Sequence, residues 1–305
     1  MQDRLSALHA RLLQEPRAPR AHGMPGCTLF FSFTDGTTRA QSFTISGADM
    51  DACWLGAMPL LLGQPAEQLR WLRVDRVRAV EQSNWGQVRR RLSATKRNYF
   101  RFGIALDADL HHAFLETEIN ANAMLYGGPG QPVAVVNEGN FLRYARLRHG
   151  IGHIDFSDDA PLWLFTTTGL FMDEAGAIHA MQRIGRNGGR RSIDRLDPDI
   201  LSALIGDGST YLAGQVKADG RFHYGWHPCF DREITAYNSL RHASTTYAML
   251  EAWEVTRDPA LMAAIERALG HLVDDLIQPA ALPDGMQAAF LIDPGQEIKL
   301  GGNAV

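Results

Sequence analysis

The chain has 305 residues, 45% of them hydrophobic and 21% charged, with a formal net charge of −4. That length suffices for two domains with cores of their own, and the charge argues against a surface built throughout for nucleic acid or anionic membrane. No apolar run approaches the ~20 residues of a membrane span, and Met1 to Arg11 lacks a signal-peptide core. The cysteines Cys27, Cys53 and Cys229 are far apart and odd in number, which predicts reduced thiols and a cytoplasmic protein.

Residues 1–22 read as a short helix followed by a Pro/Arg/Ala-rich connector. Thr28–Phe33 and Thr37–Phe43 are β-branched and aromatic around Thr34-Asp35-Gly36, which predicts a hairpin. Helical spacing runs from Ala48 to Leu62 and stops at Gly63; Leu72–Val80 reads as a strand. Asn84–Phe102 is basic and reads as helix, as does His111–Leu125 with apolar Ala113, Phe114, Ile119 and Met124. Val133–Val136 and Leu162–Phe165 read as buried strands, the second continuing through Met172. This mixture predicts an α+β domain over residues 1–190.

The run Ile184-Gly185-Arg186-Asn187-Gly188-Gly189-Arg190-Arg191 marks the boundary. It matches neither a P-loop nor a dinucleotide fingerprint and reads as a linker. Beyond it, Asp197-Pro198 and Asp258-Pro259 each combine an N-cap acceptor with proline at the first helical position. Between them lies the aromatic run Phe222-His223-Tyr224-Gly225-Trp226-His227-Pro228-Cys229-Phe230-Asp231, read as a hairpin.

A helix is predicted over Glu233–Trp253. At the helical period Leu240, Ala243, Tyr247 and Leu250 share one side. Tyr237, Asn238, Arg241, His242 and Thr245 form an arc on the other, polar but barely charged, as on a helix that lines a cavity. Ala260–Ile277 is a one-faced helix with Leu261, Ile265, Leu269, Leu272 and Leu276 in its stripe. Phe290–Leu300 reads as strand–turn–strand, and the last five residues as the start of another helix.

Outer helices with wet backs alternating with inner helices that face a cavity describe an α/α toroid. From Asp197 onward the chain resembles the six-hairpin, (α/α)6-toroid group of carbohydrate-active enzymes. The resemblance is carried by Asp219-Gly220-Arg221-Phe222-His223-Tyr224-Gly225, by Tyr237-Asn238-Ser239-Leu240-Arg241-His242 and by Lys299-Leu300-Gly301-Gly302-Asn303-Ala304. It implies a fold in which the α+β domain is followed by a partial, truncated α/α toroid over residues 191–305. The group contains hydrolases, uronate lyases and sugar epimerases.

Epimerase or lyase chemistry needs a base for the proton alpha to a carboxylate, an acid, and a group that stabilises the enolate-like intermediate. His242 and Tyr237 suit the proton carriers, Arg241 and Asn238 the stabilisers. Tyr224, Trp226, His223, His227 and Asp231 are the expected substrate-binding residues, with the hairpin's rings as the floor of a sugar site. Asp231 and Glu233 are also candidates for the acid/base pair of a glycoside hydrolase, or for helix capping. His223, His227 and Cys229 lack a fourth ligand, so no metal is expected, and no cofactor is called for.

Arg89, Arg90, Arg91, Lys96, Arg97 and Arg101, interleaved with Tyr99 and Phe100, form the strongest basic patch. The composite expectation is an enzyme acting on a sugar or uronic-acid polymer. A glycoside hydrolase and a non-catalytic scaffold in polysaccharide assembly are the alternatives. The partner is a saccharide or anionic polysaccharide, not nucleic acid, and an oligomer is compatible with this reading.

Overall fold

The structure, a computed structural model, describes residues 1–15, 26–128, 130–182, 185 and 187–304. The connector expected before residue 23 lies outside these residues, as do positions 183, 184 and 186 around the expected linker. The chain divides into two compact units. The first is Met1–Ser192 with Pro228–Phe230, and the second is Ile193–His227 with Asp231–Val305.

The first unit is built on one antiparallel sheet of seven strands. Helix α1 (Gln2–Leu13) precedes the hairpin of β1 (Cys27–Thr34) and β2 (Gln41–Gly47). Helix α2 (Met50–Leu62) follows, its N-terminus capped by the Asp49 side chain on the Ala52 amide at 2.8 Å. The long strand β3 (Trp71–Asn84) pairs with β1 and with β6 (Pro161–Met172). Strands β4 (Gly103–Ala105) and β5 (Ala113–Phe114) extend the sheet beyond β6, and β7 (Ile178–Ala180) also joins β6.

Side chains alternate across a strand, and β1 fills both sides of the sheet with them. Leu29, Phe31 and Phe33 pack with α1 and α2 around Leu5, Leu8, Trp54 and Leu61. Phe30 points the other way and stacks on Phe165 at 5.4 Å. A second core gathers around Trp85, Phe114 and Phe141. It is bounded by α3 (Trp85–Ser93) and α5 (Glu138–His149), capped by Asn84 and Asn137.

The predicted helix over His111–Leu125 is corrected. Phe114 pairs with Ile104 as a strand, and only α4 (Glu116–Ala121) is helical. Asp107 accepts the His111 and His112 amides, so the chain turns there before entering the sheet. Val133–Val136 forms no strand; Val133 makes one isolated bridge to Lys96.

In the second unit, α6 (Pro198–Gly214) is capped by Asp197. A short ladder of β8 (Trp226–His227) and β9 (Arg232–Glu233) follows, then α7 (Ser239–Thr256) and α8 (Pro259–His271), the latter capped by Asp258. A π-helical turn leads into an antiparallel sheet of β10 (Ile277–Ala281), β11 (Gln287–Asp293) and β12 (Glu297–Ile298). The core joins Phe222, Met249, Leu261, Ile265 and Ala268.

This arrangement overturns the expected fold class, an α+β domain followed by a partial α/α toroid. The chain is a mixed α/β fold on a curled antiparallel sheet, and after α7 and α8 its last residues form a three-stranded sheet in place of further toroid helices. The helical period begins only at Ser239. Asn238 is the N-cap of α7, so Tyr237 and Asn238 precede the helix instead of sharing its arc. After α8 the chain pairs as strands about the Asp284-Gly285 turn, with Gly285 at φ 83°, where a toroid would place another helix. Among the described residues no helix is long and apolar enough to cross a membrane.

Candidate functional site

The second unit holds a cavity of about 390 Å3. Its walls come from three places: the end of α6 (Tyr211, Leu212, Gln215), the aromatic segment Phe222–Trp226 with Glu233, and the start of α7 (Tyr237, Asn238, Arg241, His242, Thr245). A volume of this order suits a small ligand or one or two sugar units.

Local turns put these walls together. The chain reverses after α6 through Lys217-Ala218-Asp219-Gly220. The Lys217 amide donates to the Arg221 carbonyl at 2.8 Å, and the His223 amide to the Gln215 carbonyl at 2.9 Å. Gly220 adopts φ 82°, and a Cβ there would stand 2.2 Å from the Arg267 carbonyl oxygen on α8. Only glycine meets both demands. On the other side, α7 is fixed at its first turn. Buried Asp293 accepts the Ser239 amide at 2.7 Å and the Lys299 ammonium at 2.6 Å, and also the Ser239 hydroxyl. Burial opposes ionisation of Asp293, but the bonds from Lys299 and Ser239 outweigh it and hold the carboxyl below its usual range. Asn238 caps the helix through the Arg241 amide at 2.9 Å.

At the inner end of the cavity Tyr237, His242 and a backbone carbonyl form a hydrogen-bonded chain. His242 is 2% exposed. Its Nε2 lies 2.8 Å from the Ala268 carbonyl oxygen, which can only accept, so Nε2 carries the ring proton. Its Nδ1 therefore accepts, and the Tyr237 hydroxyl 2.7 Å away donates to it. The same hydroxyl accepts the Phe222 amide at 3.0 Å. Burial lowers the His242 pKa and raises that of Tyr237, so at neutral pH the imidazole is neutral and the phenol protonated. The hydrogen bond runs from Tyr237 to His242, and the Phe222 amide and the Arg221 guanidinium, 4.8 Å over the ring, partly offset the effect of burial on the phenol.

Nearer the mouth, Glu233 accepts from Lys217 Nζ at 2.7 Å and His223 Nδ1 at 2.9 Å. These two bonds hold its carboxyl below the usual range. Arg241 lies 5.2 Å over the Tyr224 ring and has no carboxylate partner among the described residues. Trp226, 53% exposed, stands at the rim.

Of the expected catalytic residues, His242, Tyr237, Arg241 and Asn238 all reach this cavity. Their roles separate, however: His242 is sealed behind Tyr237, and the Asn238 carbonyl oxygen is committed to the cap. Of the expected binding residues, Tyr224, Trp226 and His223 line the cavity, whereas His227 and Asp231 do not. His227 pairs with Arg232 in the ladder, and Asp231 is the left-handed residue, φ 49°, between its strands. Lys217, Tyr211 and Gln215 escaped sequence reasoning. The Asp219-Gly220 turn signal was the available clue, because folding back there sets Lys217 near the aromatic segment. Among the described residues no cluster of His, Cys, Asp and Glu is arranged to hold a metal ion.

The first unit contains a smaller cavity, about 220 Å3, beside Arg73, Asp75, Arg101 and Glu116. Its charges answer one another. Arg73 bonds both oxygens of buried Asp75, at 2.6 and 2.8 Å, and Arg101 bonds Glu116. Such pairing leaves little unspent charge for a ligand. No protein-family model matches the chain, and no curated protein matches it.

Proposed function

We propose that the second unit binds an acidic sugar, as a saccharide or as part of an anionic polysaccharide, and moves the proton alpha to its carboxylate. The observation that carries this reading is Arg241. It is a guanidinium without a carboxylate partner among the described residues, set over Tyr224 in an aromatic cavity beside the Tyr237–His242 pair. A guanidinium so placed matches a ligand carboxylate bidentately, and aromatic walls suit the apolar face of a sugar ring.

Tyr237 is the group that meets the ligand. Its hydroxyl proton passes to Nδ1 of His242, and the phenolate oxygen takes the proton from the carbon next to the carboxylate. The electron pair of that C–H bond moves into an enediolate held by Arg241. Delivery of an Nε2 proton to that carbon by His223, protonated on both nitrogens with Nδ1–H held by Glu233, gives an epimer. His242 then loses its extra proton to solvent, and His223 regains one from it. Return of the enediolate electrons to form a C=C bond, with the C–O bond pair leaving on the oxygen substituent of the adjacent carbon and that oxygen taking the His223 proton, gives an unsaturated product. The first outcome is epimerase chemistry and the second lyase chemistry.

Glycoside hydrolysis is less well supported. It needs two carboxylates across the bond, and Glu233 is the one carboxylate among the residues lining the cavity. Binding without chemistry has a specific observation in its favour: both nitrogens of buried His242 are already bonded. A cytoplasmic setting is part of the proposal and rests on the odd number and wide spacing of Cys27, Cys53 and Cys229 in the sequence.

The test is incubation with oligouronates in deuterated water. Deuterium at the carbon alpha to the carboxylate, or a new conjugated double bond, is the expected result, and Arg241→Ala abolishes it. Binding without either signal leaves the scaffold reading, and equal binding of neutral and acidic oligosaccharides removes the uronate.

A further inference from the structure

The first unit carries a second feature that the cavity above does not use. The turn Lys96-Arg97-Asn98-Tyr99 and the segment Asn187–Arg190, some ninety residues apart in the chain, border one open cleft of about 670 Å3. Four cations line it: Lys96, Arg97, Arg101 and Arg190. Among the described residues lining it there is no carboxylate.

Both borders are built, not frayed. The Tyr99 amide closes the turn on the Lys96 carbonyl at 3.0 Å, and Asn98 takes the left-handed conformation at φ 68°, which asparagine tolerates. Lys96 bridges to Val133, and the Arg97 amide bonds the Pro132 carbonyl. Opposite, the Gln182 amide donates to Arg190 at 2.6 Å and the Gly189 amide to Gln182 at 2.9 Å.

Several other arginines in this unit are matched to acids. Arg70 meets Glu174, Arg89 meets Asp158 and Glu138, Arg91 meets Glu81, and Arg148 meets Glu118. In the cleft only Arg101 has such a partner, Glu116. Lys96, Arg97 and Arg190 have no carboxylate partner among the described residues. Lys96 and Arg97 rest on the rings of Tyr99 and Tyr126, at 5.9 and 4.7 Å. Like charges gathered in one concavity repel each other and focus a positive field, an arrangement that an anion relieves.

We propose that this cleft binds a segment of acidic polysaccharide through carboxylates spaced along its sugars. The amides of Asn98, Gln131 and Asn187 are available to sugar hydroxyls. Single-stranded nucleic acid fits less well, because it needs open aromatic faces for successive bases. The one ring in the cleft, Tyr99, already carries Lys96 and, at 5.5 Å, Arg101. The anion site stands on its own geometry; the choice of a sugar acid rests on the reading proposed for the second unit.

The test uses the full chain with Arg241→Ala, which silences the other cavity. Oligogalacturonate binding is measured by titration calorimetry, then repeated with Arg97→Ala and Arg190→Ala added. The expected result is salt-sensitive binding to the Arg241→Ala chain that weakens about tenfold or more in the triple variant, at least ~1.4 kcal/mol. Arg190→Glu alone, at an exposed position, must weaken it too, and the unfolding midpoint shows that each variant is folded. No binding to the Arg241→Ala chain, or unchanged binding in the triple variant, overturns the proposal. So does tighter binding of an oligothymidylate of equal charge. Failure of the proton-transfer reading would show separately, as absent deuterium exchange with the effect of Arg97 and Arg190 intact.

Discussion

The Tyr237 hydroxyl donates to Nδ1 of His242 at 2.7 Å, and that imidazole, 2% exposed, is anchored behind it to the Ala268 carbonyl. The phenol is thus the part of the pair more open to a ligand. Removing its oxygen separates binding from proton transfer. Tyr237→Phe keeps the ring in place, leaves Nδ1 and the Phe222 amide without their partner, and should cost about 1–3 kcal/mol in denaturant unfolding. Oligouronate affinity should fall by less than about tenfold, while exchange of the alpha proton falls about a hundredfold or more.

Gly220 sets the turn that carries Lys217 and Phe222 to the cavity. Gly220→Ala forces an L side chain into φ 82° and its Cβ against the Arg267 carbonyl, 2.2 Å away. A loss of about 1–3 kcal/mol is expected, with weakened ligand binding as the turn shifts. Gly206→Ala in α6, where nothing lies within 4 Å of the added atom, should be neutral or slightly stabilising by the same unfolding measurement.

Asp293 holds the start of α7 from a different strand. Asp293→Ala leaves the Ser239 amide and hydroxyl without their acceptor and leaves Lys299 with Glu297 alone. The expected loss is about 1–3 kcal/mol. Hydrogen exchange should rise first in the opening turn of α7, ahead of α8.

His149, on α5 in the first unit, makes stability depend on pH. Burial first, and the Arg148 guanidinium second, push its pKa down from 6.5 to about 4, while Asp107 and the Ala113 carbonyl act the other way and His112 adds to the lowering. As pH falls, the unfolded chain takes up this proton before the folded one. The folded state therefore loses stability between pH of about 6.5 and about 4, with no further loss from this group below that. His149→Gln, neutral throughout, should flatten that part of the curve in unfolding experiments run across the range.

Asp75 and Arg73 lie on the same face of β3, and Asp75 is fully buried. Asp75→Ala removes one partner of a buried pair and should cost about 3–5 kcal/mol. Replacing both by apolar residues of similar volume should recover much of that loss, which a double-mutant cycle on the unfolding midpoint would read.

Much of the local structure was legible because its signals are short in range. The cap-and-proline starts Asp197-Pro198 and Asp258-Pro259 open helices at those positions. The aromatic and β-branched runs around Thr34-Asp35-Gly36 pair as a hairpin. The candidate site was half legible. Tyr237, Arg241 and His242 do meet in one cavity, but for a reason the helical period did not contain: a cap at Asn238 and a chain that turns into it. Phe114 has helical apolar spacing yet lies in a strand, because its pairing with Ile104 is not encoded in that spacing.

By itself, then, the sequence determined where helices begin, where chains turn, and which segment gathers aromatic and proton-carrying groups. Those properties depend on neighbours within a few residues. Tertiary structure alone decided that His242 is sealed behind Tyr237 and that Glu233 is claimed by Lys217 and His223. It also decided that Lys96 and Arg97 face Arg190, and that strands follow α8 where a toroid was expected. Burial, ion pairing and strand register are relations between residues distant in the chain, and no local pattern carries them.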